Sequence, residues 1–304
     1  MATSVYLIVG GVLYEMNDGA PFFVTAWDGL GLLPVNRLSQ RGALQHGDTD
    51  TGWRGQPRFF SVTFGINRGC SIADRIAARR TLLQRIAPRN DALALRFVFD
   101  VGETTERIYQ IDARSIAEPG AVEARDVHGL TLVPVRFKAS DPTFYDPAVI
   151  VATWALAISN DLILPFEVPF ILGTNIINDT LDVAYTGDLD DYPIIRFRGP
   201  LIEPQIENVT TGDVIGFRSG TNIAAGEQVT IDLRYGNKTV MSNLGGVSRL
   251  GDIDPNRDDL ARFSLAAALD GSGARVNTFR VIATGALEGA SAATLTYNTR
   301  YSGI

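Results

Sequence analysis

The feature that constrains the fold most is a strand that stops abruptly. Val133, Val135, Phe137 and Ala139 alternate with Pro134, Arg136 and Lys138, the period of a β-strand with one buried face. The run then enters KASDPTFYDP, Lys138 to Pro147. Proline has no N–H and restricts the residue before it, so two Asp-Pro steps in so short a stretch end the strand. Phe144 and Tyr145 between those steps belong to a packed segment rather than a disordered linker. The stretch reads as a rigid domain junction, dividing the chain into residues 1–147 and 148–304.

Composition allows two such domains. A chain of 304 residues is long enough for each half to bury its own core. At 45% hydrophobic and 20% charged residues it is a folded, soluble type of sequence. The net charge of −7 is uneven: residues 1–147 carry 16 basic and 16 acidic side chains, and residues 148–304 carry 11 and 18. An acidic half without a Lys/Arg run argues against binding a nucleic-acid backbone. The single cysteine, Cys70, excludes a disulfide framework and a multi-cysteine zinc site. It reads as a small packed residue just before a helix.

No signal peptide is evident, because the apolar run Val5 to Tyr14 has no basic residue ahead of it and the first is Arg37. The longest apolar run, Ala148 to Ile158, falls short of the about 20 residues a membrane span needs. The expectation is a protein made in the cytoplasm that stays soluble and does not enter a membrane.

Strand signals dominate. Tyr6–Val9 and Val12–Met16 flank Gly10-Gly11 as an opening hairpin. Phe59–Phe64, Leu93–Phe99, Arg107–Ile111 and Leu130–Ala139 follow as further strands. One helix stands out between Ser71 and Pro88: Ser71 is an N-cap with Asp74 three residues on, and Ile72, Ile76, Leu83 and Ile86 recur at helical spacing. After the junction, Val229, Ile231 and Leu233 alternate with polar residues, as do Phe279, Val281 and Ala283, and Leu295 and Tyr297. Turns at Thr211-Gly212-Asp213, Ala225-Gly226, Tyr235-Gly236-Asn237 and Asp270–Gly273 divide these strands, the pattern of a β-sandwich. The polar, Gly- and Asp-rich segment 237–259 reads as a long surface excursion. The fold class is therefore mainly β, a β-rich α+β chain.

Signals for chemistry are few. His46 lies in QHGDTD, where Asp48 and Asp50 offer a metal or acid–base cluster, although a Gly-containing polar loop explains the same residues. His128 precedes Gly129 in a turn. The segment Asp252 to Asp259 places acidic or Asn oxygens at alternate positions, but a calcium loop needs Gly and Glu where Arg257 and Phe263 stand. No nucleophile elbow, P-loop or dinucleotide fingerprint is present. A carboxylate pair for glycoside hydrolysis needs only spatial proximity, and nothing marks one. Asn178, Asn208 and Asn237 open N-x-T triplets, which matter only on a secretory route. No catalytic, cofactor-binding or metal residue is assigned, and the chain is not expected to be an enzyme.

Three stretches taken together resemble the distal tail proteins of siphophages. The first is DGLGLLPVNRLSQRGALQHGDTDTGWRGQPRFFSVTF, Asp28 to Phe64, with a Gly-rich opening, a Gln-x-Gly centre and an Arg leading into a strand. The second is KASDPTFYDP, a strand ending in Ser-Asp-Pro plus aromatics. The third is YPIIRFRGPLIEPQIENVTTGDVIGF followed by GEQVTIDLRYGNKTV. Residues 148–190 and 236–275 fit the pattern loosely.

The resemblance implies a structural protein. Its N-terminal β domain, with a hairpin and one helix, would build a homo-hexameric ring around a channel. Its C-terminal domain would be a galectin-like sandwich on the outside. The ring would join the tail tube protein to the tail-tip or baseplate hub protein and, in some phages, hold a receptor-binding protein. DNA would pass through the channel without sequence-specific contacts, and the protein would reside in the virion tail. The alternative is a carbohydrate- or receptor-binding role for the C-terminal sandwich, where Trp154 is the only tryptophan.

Overall fold

The computed structural model describes residues 4–17, 21–66, 71–87, 93–100, 106–116, 125–127, 130–155, 176–268, 273–287 and 289–304. Cys70, Pro88, His128 and part of the 270–273 turn lie outside them. The chain divides into two compact units, one of residues 1–147 with 301–304 and the other of residues 148–300. The last four residues, expected with the second domain, therefore belong to the first, and nothing in their sequence signals that return.

In the first unit, one sheet carries the strands Val12–Glu15, Ser4–Val9, Leu93–Asp100, Glu106–Asp112 and Phe144–Tyr145, with the chain end at Tyr301 on its edge. The opening hairpin turns at Gly10 (φ 56°) and Gly11 (φ 82°), positive angles that glycine adopts without steric cost. A second sheet carries Arg125–Val127, Leu130–Ala139, Arg58–Ile66 and Phe22–Asp28, with Arg114–Ser115 also against Leu130–Ala139. Val133, Val135, Phe137 and Ala139 are all buried, while Arg136 and Lys138 are exposed, as the alternation requires. They share one core with Phe60, Val62 and Phe64 of the paired strand and with Val5, Leu7, Leu95, Phe97 and Ile111 of the other sheet.

The helix Ile72–Ile86 opens on a full capping box: the Asp74 amide donates to Ser71 Oγ and the Ser71 amide donates back to the Asp74 carboxylate. Ala87, preceding Pro88, has the extended ψ of 143° that a following proline favours. The buried stripe differs from the expected one. Ala78, Leu82 and Ile86 enter the core, Leu83 is half-buried, and Ile72 and Ile76 are exposed. Steps of four from Ala78 define the core-facing line in the C-terminal half of the helix, and the two earlier isoleucines lie off it.

Besides the short strands Arg114–Ser115, Arg125–Val127 and Phe144–Tyr145, three longer strands of this unit escaped the sequence reading. One is Phe22–Asp28; the others, Val35–Gln40 and Thr49–Gly55, pair only with each other.

The second unit holds two antiparallel sheets around one core. The first runs Ile150–Ala155, Ala292–Tyr297, Ile194–Arg198, Gln228–Asp232, Thr239–Ser242. The other runs Ile176–Tyr185, Arg275–Thr284, Leu201–Asn208, Asp213–Phe217, Ile253–Asp258, with Asn222–Ile223 also on Leu201–Asn208. Val229, Ile231, Phe279, Val281 and Leu295 all face the shared core, and Gly212, Gly226 and Gly236 take positive φ in the expected turns. The segment 237–259 is not a mere excursion. It contributes two strands, and Val240 and Ile253 are buried.

Candidate assembly interface

The paired strands Val35–Gln40 and Thr49–Gly55 form an arm on the first unit, with Arg37 opposite Trp53 and Val35 opposite Gly55. None of its residues is buried. Val35, Leu38 and Trp53 (54% exposed) lie open, and Leu44 in the connecting loop is 98% exposed. A two-stranded hairpin is marginal in water on its own, and a single exposed ion pair such as Arg37–Asp50 at 3.1 Å adds little. An arm of this kind gains by lying against another surface.

The sequence candidates around His46 fall on this arm. Asp50 pairs with Arg37, Asp48 accepts a 3.4 Å hydrogen bond from the Ser39 hydroxyl, and Asp50 also accepts from the Gly52 amide. These contacts hold the hairpin together. No group of three or more His, Cys, Asp or Glu able to hold a metal occurs among the described residues.

At the base of the arm sits Arg58, 1% exposed. Its guanidinium donates to four main-chain carbonyls: Pro142 at 2.8 Å, Gly29 at 3.0 Å, Gly31 at 2.7 Å and Ser302 at 2.6 Å. It also lies over the Phe144 ring, 5.0 Å from the centroid. Burial pushes its pKa down from the ordinary guanidinium value. One side chain thus ties together the loop ahead of the arm, the junction stretch and the chain end. Ile304 adds a 3.0 Å amide bond to the Leu30 carbonyl, and Tyr301 packs edge-on to Tyr109.

The junction stretch is anchored throughout. Asp141 accepts from the Thr143 amide at 3.2 Å and hydroxyl at 2.7 Å, a side-chain turn that Asp-Pro sequences favour. Phe144 is fully buried against Phe97. Tyr145 donates to Asp112 at 2.7 Å and accepts from Gln110 at 2.9 Å. Burial first, and then the Asp112 charge, push the Tyr145 phenol well above its ordinary value.

The remaining sequence candidates, in the second unit, have structural partners. Asp252 pairs with Arg249, Asp254 with Arg257, and Asp259 with both Arg262 and the Val214 amide. The carboxylates are thus divided among three arginines instead of converging on a cation. Asn208 is buried and donates to Ser264 O at 2.8 Å. Asn237 donates to Asp232 at 2.5 Å, and Asn178 is exposed on its strand. Trp154 is buried edge-on to Phe279, so it offers no stacking platform to a sugar.

The fold is similar to those of two solved phage proteins. It matches the Dit protein of phage SPP1, described as a paradigm of the hub adsorption apparatus in phages infecting Gram-positive bacteria, over 97% of this chain and 98% of that one (TM-score 0.61, 14% identity). A chain of the phage P2 baseplate in its activated conformation with calcium matches over 99% of this chain and 100% of its own length (TM-score 0.50, 9% identity). No protein-family model and no curated protein matches the sequence.

Proposed function

We propose that the chain is a structural component of a phage tail, a distal tail protein whose residues 1–147 form a hexameric ring between the tail tube and the tail-tip or baseplate hub. The observation that carries this reading is a single fold likeness to SPP1 Dit spanning 97% of the chain and hence both units. The exposed arm supports it: Val35, Trp53 and Leu44 would be covered by a neighbouring copy, as a head-to-tail ring joining two different surfaces requires. Charge supports it as well. The first 147 residues are balanced, so their patches can meet those of a neighbour. The acidic remainder, galectin-like in this reading, would stay solvated on the outside. A receptor-binding protein is a further partner of such a ring.

Immunogold labelling of intact virions with antibody raised against the chain tests the assignment. Gold confined to the distal end of the tail is the expected result. Label on the capsid, along the whole tube or on no particle would overturn it.

A further inference from the structure

The arm leaves the first unit by two short limbs, and both are rooted in one place. Gly31 lies four residues before the first arm strand, and Arg58 three residues after the second. The segment Tyr301–Ile304 closes over this root. Arg58 holds the Gly29 and Gly31 carbonyls and the Ser302 carbonyl with one guanidinium. The Ile304 amide donates to Leu30 O at 3.0 Å, and Leu30 is buried. Gly303 lies directly against Gly31: a Cβ placed on it would overlap the Gly31 carbonyl. Just above, the Gln56 amide donates to Pro34 O at 2.8 Å and closes the base of the arm.

Four residues can keep this place because they are fixed at both ends. Arg300 is locked in the second unit, where its Nε meets the Asp191 carboxylate at 2.5 Å and its amide donates to the Tyr185 hydroxyl at 3.0 Å. Tyr301 lies edge-on to Tyr109 in the first unit, and Tyr301 and Ile304 pack against its core. A segment already tethered gives up little freedom when it binds.

Leverage makes the root matter. Strands of six and seven residues reach roughly 20 Å, so a tilt of about 10° at the root moves the tip by about 3–4 Å. A gap of about 1 Å already forfeits up to half of a van der Waals contact. Leu44 and Trp53, the apolar residues that the arm offers, would lose a complementary surface through such a tilt.

We propose that residues 301–304 are a strap that sets the direction of the arm, so that a copy docks its neighbour only after its second unit has been made and the chain has returned to the first. The inference rests on the ring reading above. The strap positions the arm without building the fold: among the described residues, every buried member of the first core lies within 1–147, and Tyr301 and Ile304 only flank it.

Two variants test this, a chain stopped after Tyr301 and Gly303→Val, which keeps every hydrogen-bonding group and wedges the strap away from Gly31. In the purified chains both units should remain folded, while hydrogen exchange at the Gln56 amide rises about tenfold in each variant. When wild-type and variant chains are made together during infection, mass spectrometry of the virions should find the variant at about a tenth of its share in the cell. Incorporation of either variant at full share, or unchanged exchange at Gln56, would overturn the proposal. So would an Ile304 amide still protected in Gly303→Val, or an unfolded first unit in the shortened chain, which would make these residues part of the core. Absence of the wild-type chain from virions would instead remove the tail reading, and exchange at Gln56 would still decide whether the strap holds the arm.

Discussion

Replacing Arg58 by methionine keeps most of the apolar stem and removes the guanidinium. The carbonyls of Gly29, Gly31, Pro142 and Ser302 then lose their donor. A hydrogen bond from a charged donor contributes about 1.5–3 kcal/mol where its acceptor is shut off from water, and about 1 kcal/mol otherwise. Gly29 and Gly31 are exposed, and Pro142 and Ser302 are half-buried, so water can replace part of each bond. Burial of the guanidinium is itself a cost, which the substitution returns. The net loss should be about 2–4 kcal/mol, a fall in melting temperature of roughly 5–10 °C for a unit of this size. Thermal unfolding by circular dichroism gives the magnitude, and hydrogen exchange at the Ile304 amide, bonded to Leu30 O, reports the chain end locally. A melting temperature within about 2 °C of wild type with Ile304 still protected would refute the idea that Arg58 holds the three segments together.

Other perturbations have equally direct outcomes. Asp191→Asn removes the carboxylate that Arg300 Nε meets at 2.5 Å in the interior of the second unit; at pH 7 this should cost about 3–5 kcal/mol in urea unfolding, and a loss below about 1 kcal/mol would contradict it. Burial pushes the Glu227 carboxyl up, but the Ala224 amide, the Ser242 hydroxyl and Arg249 outweigh it and hold the group below its ordinary value. Its contribution is therefore present above the unfolded carboxyl range near about 4.3 and lost as pH falls through the lower folded value, so acid should destabilise wild type more steeply than Glu227→Gln. Asp191, whose pKa burial raises despite Arg300, contributes with the opposite sign. Trypsin should cut first at Arg37 or Arg41 on the exposed arm, before Lys138 or the tied Arg249; first cleavage at Lys138 would argue against an anchored junction.

The parts of this fold that could be read in the sequence are those with a one-sided environment. Leu130–Ala139 was visible because one face is core and the other solvent, and the junction because proline and buried aromatics leave little choice of conformation. The arm was not visible. Val35–Gln40 and Thr49–Gly55 are exposed on both faces, so no period separates inside from outside. The helix was placed correctly, but its face was not, since Ala78 does as a core residue what the larger Ile72 and Ile76 do not. Arg58 was marked only as the arginine that leads into a strand; its bonding gave no local signal because its acceptors lie as far as 84 and 244 positions away. In 237–259 the glycines and aspartates concealed Val240 and Ile253, two apolar residues that each anchor an edge strand. Polar residues around His46 and Asp252–Asp259 look like ligand sets in one dimension; in three they are divided among separate arginines and loop contacts.

The most direct test of the tail reading is cryo-electron microscopy of native phage tails that carry the chain. The account predicts a closed sixfold ring at the distal end of the tube, its subunit contacts made by residues 1–147 with the arm of each copy covered by its neighbour, and the acidic units outside. A ring joined through residues 148–300, an assembly without sixfold symmetry, or an arm left bare in the assembled tail would contradict it.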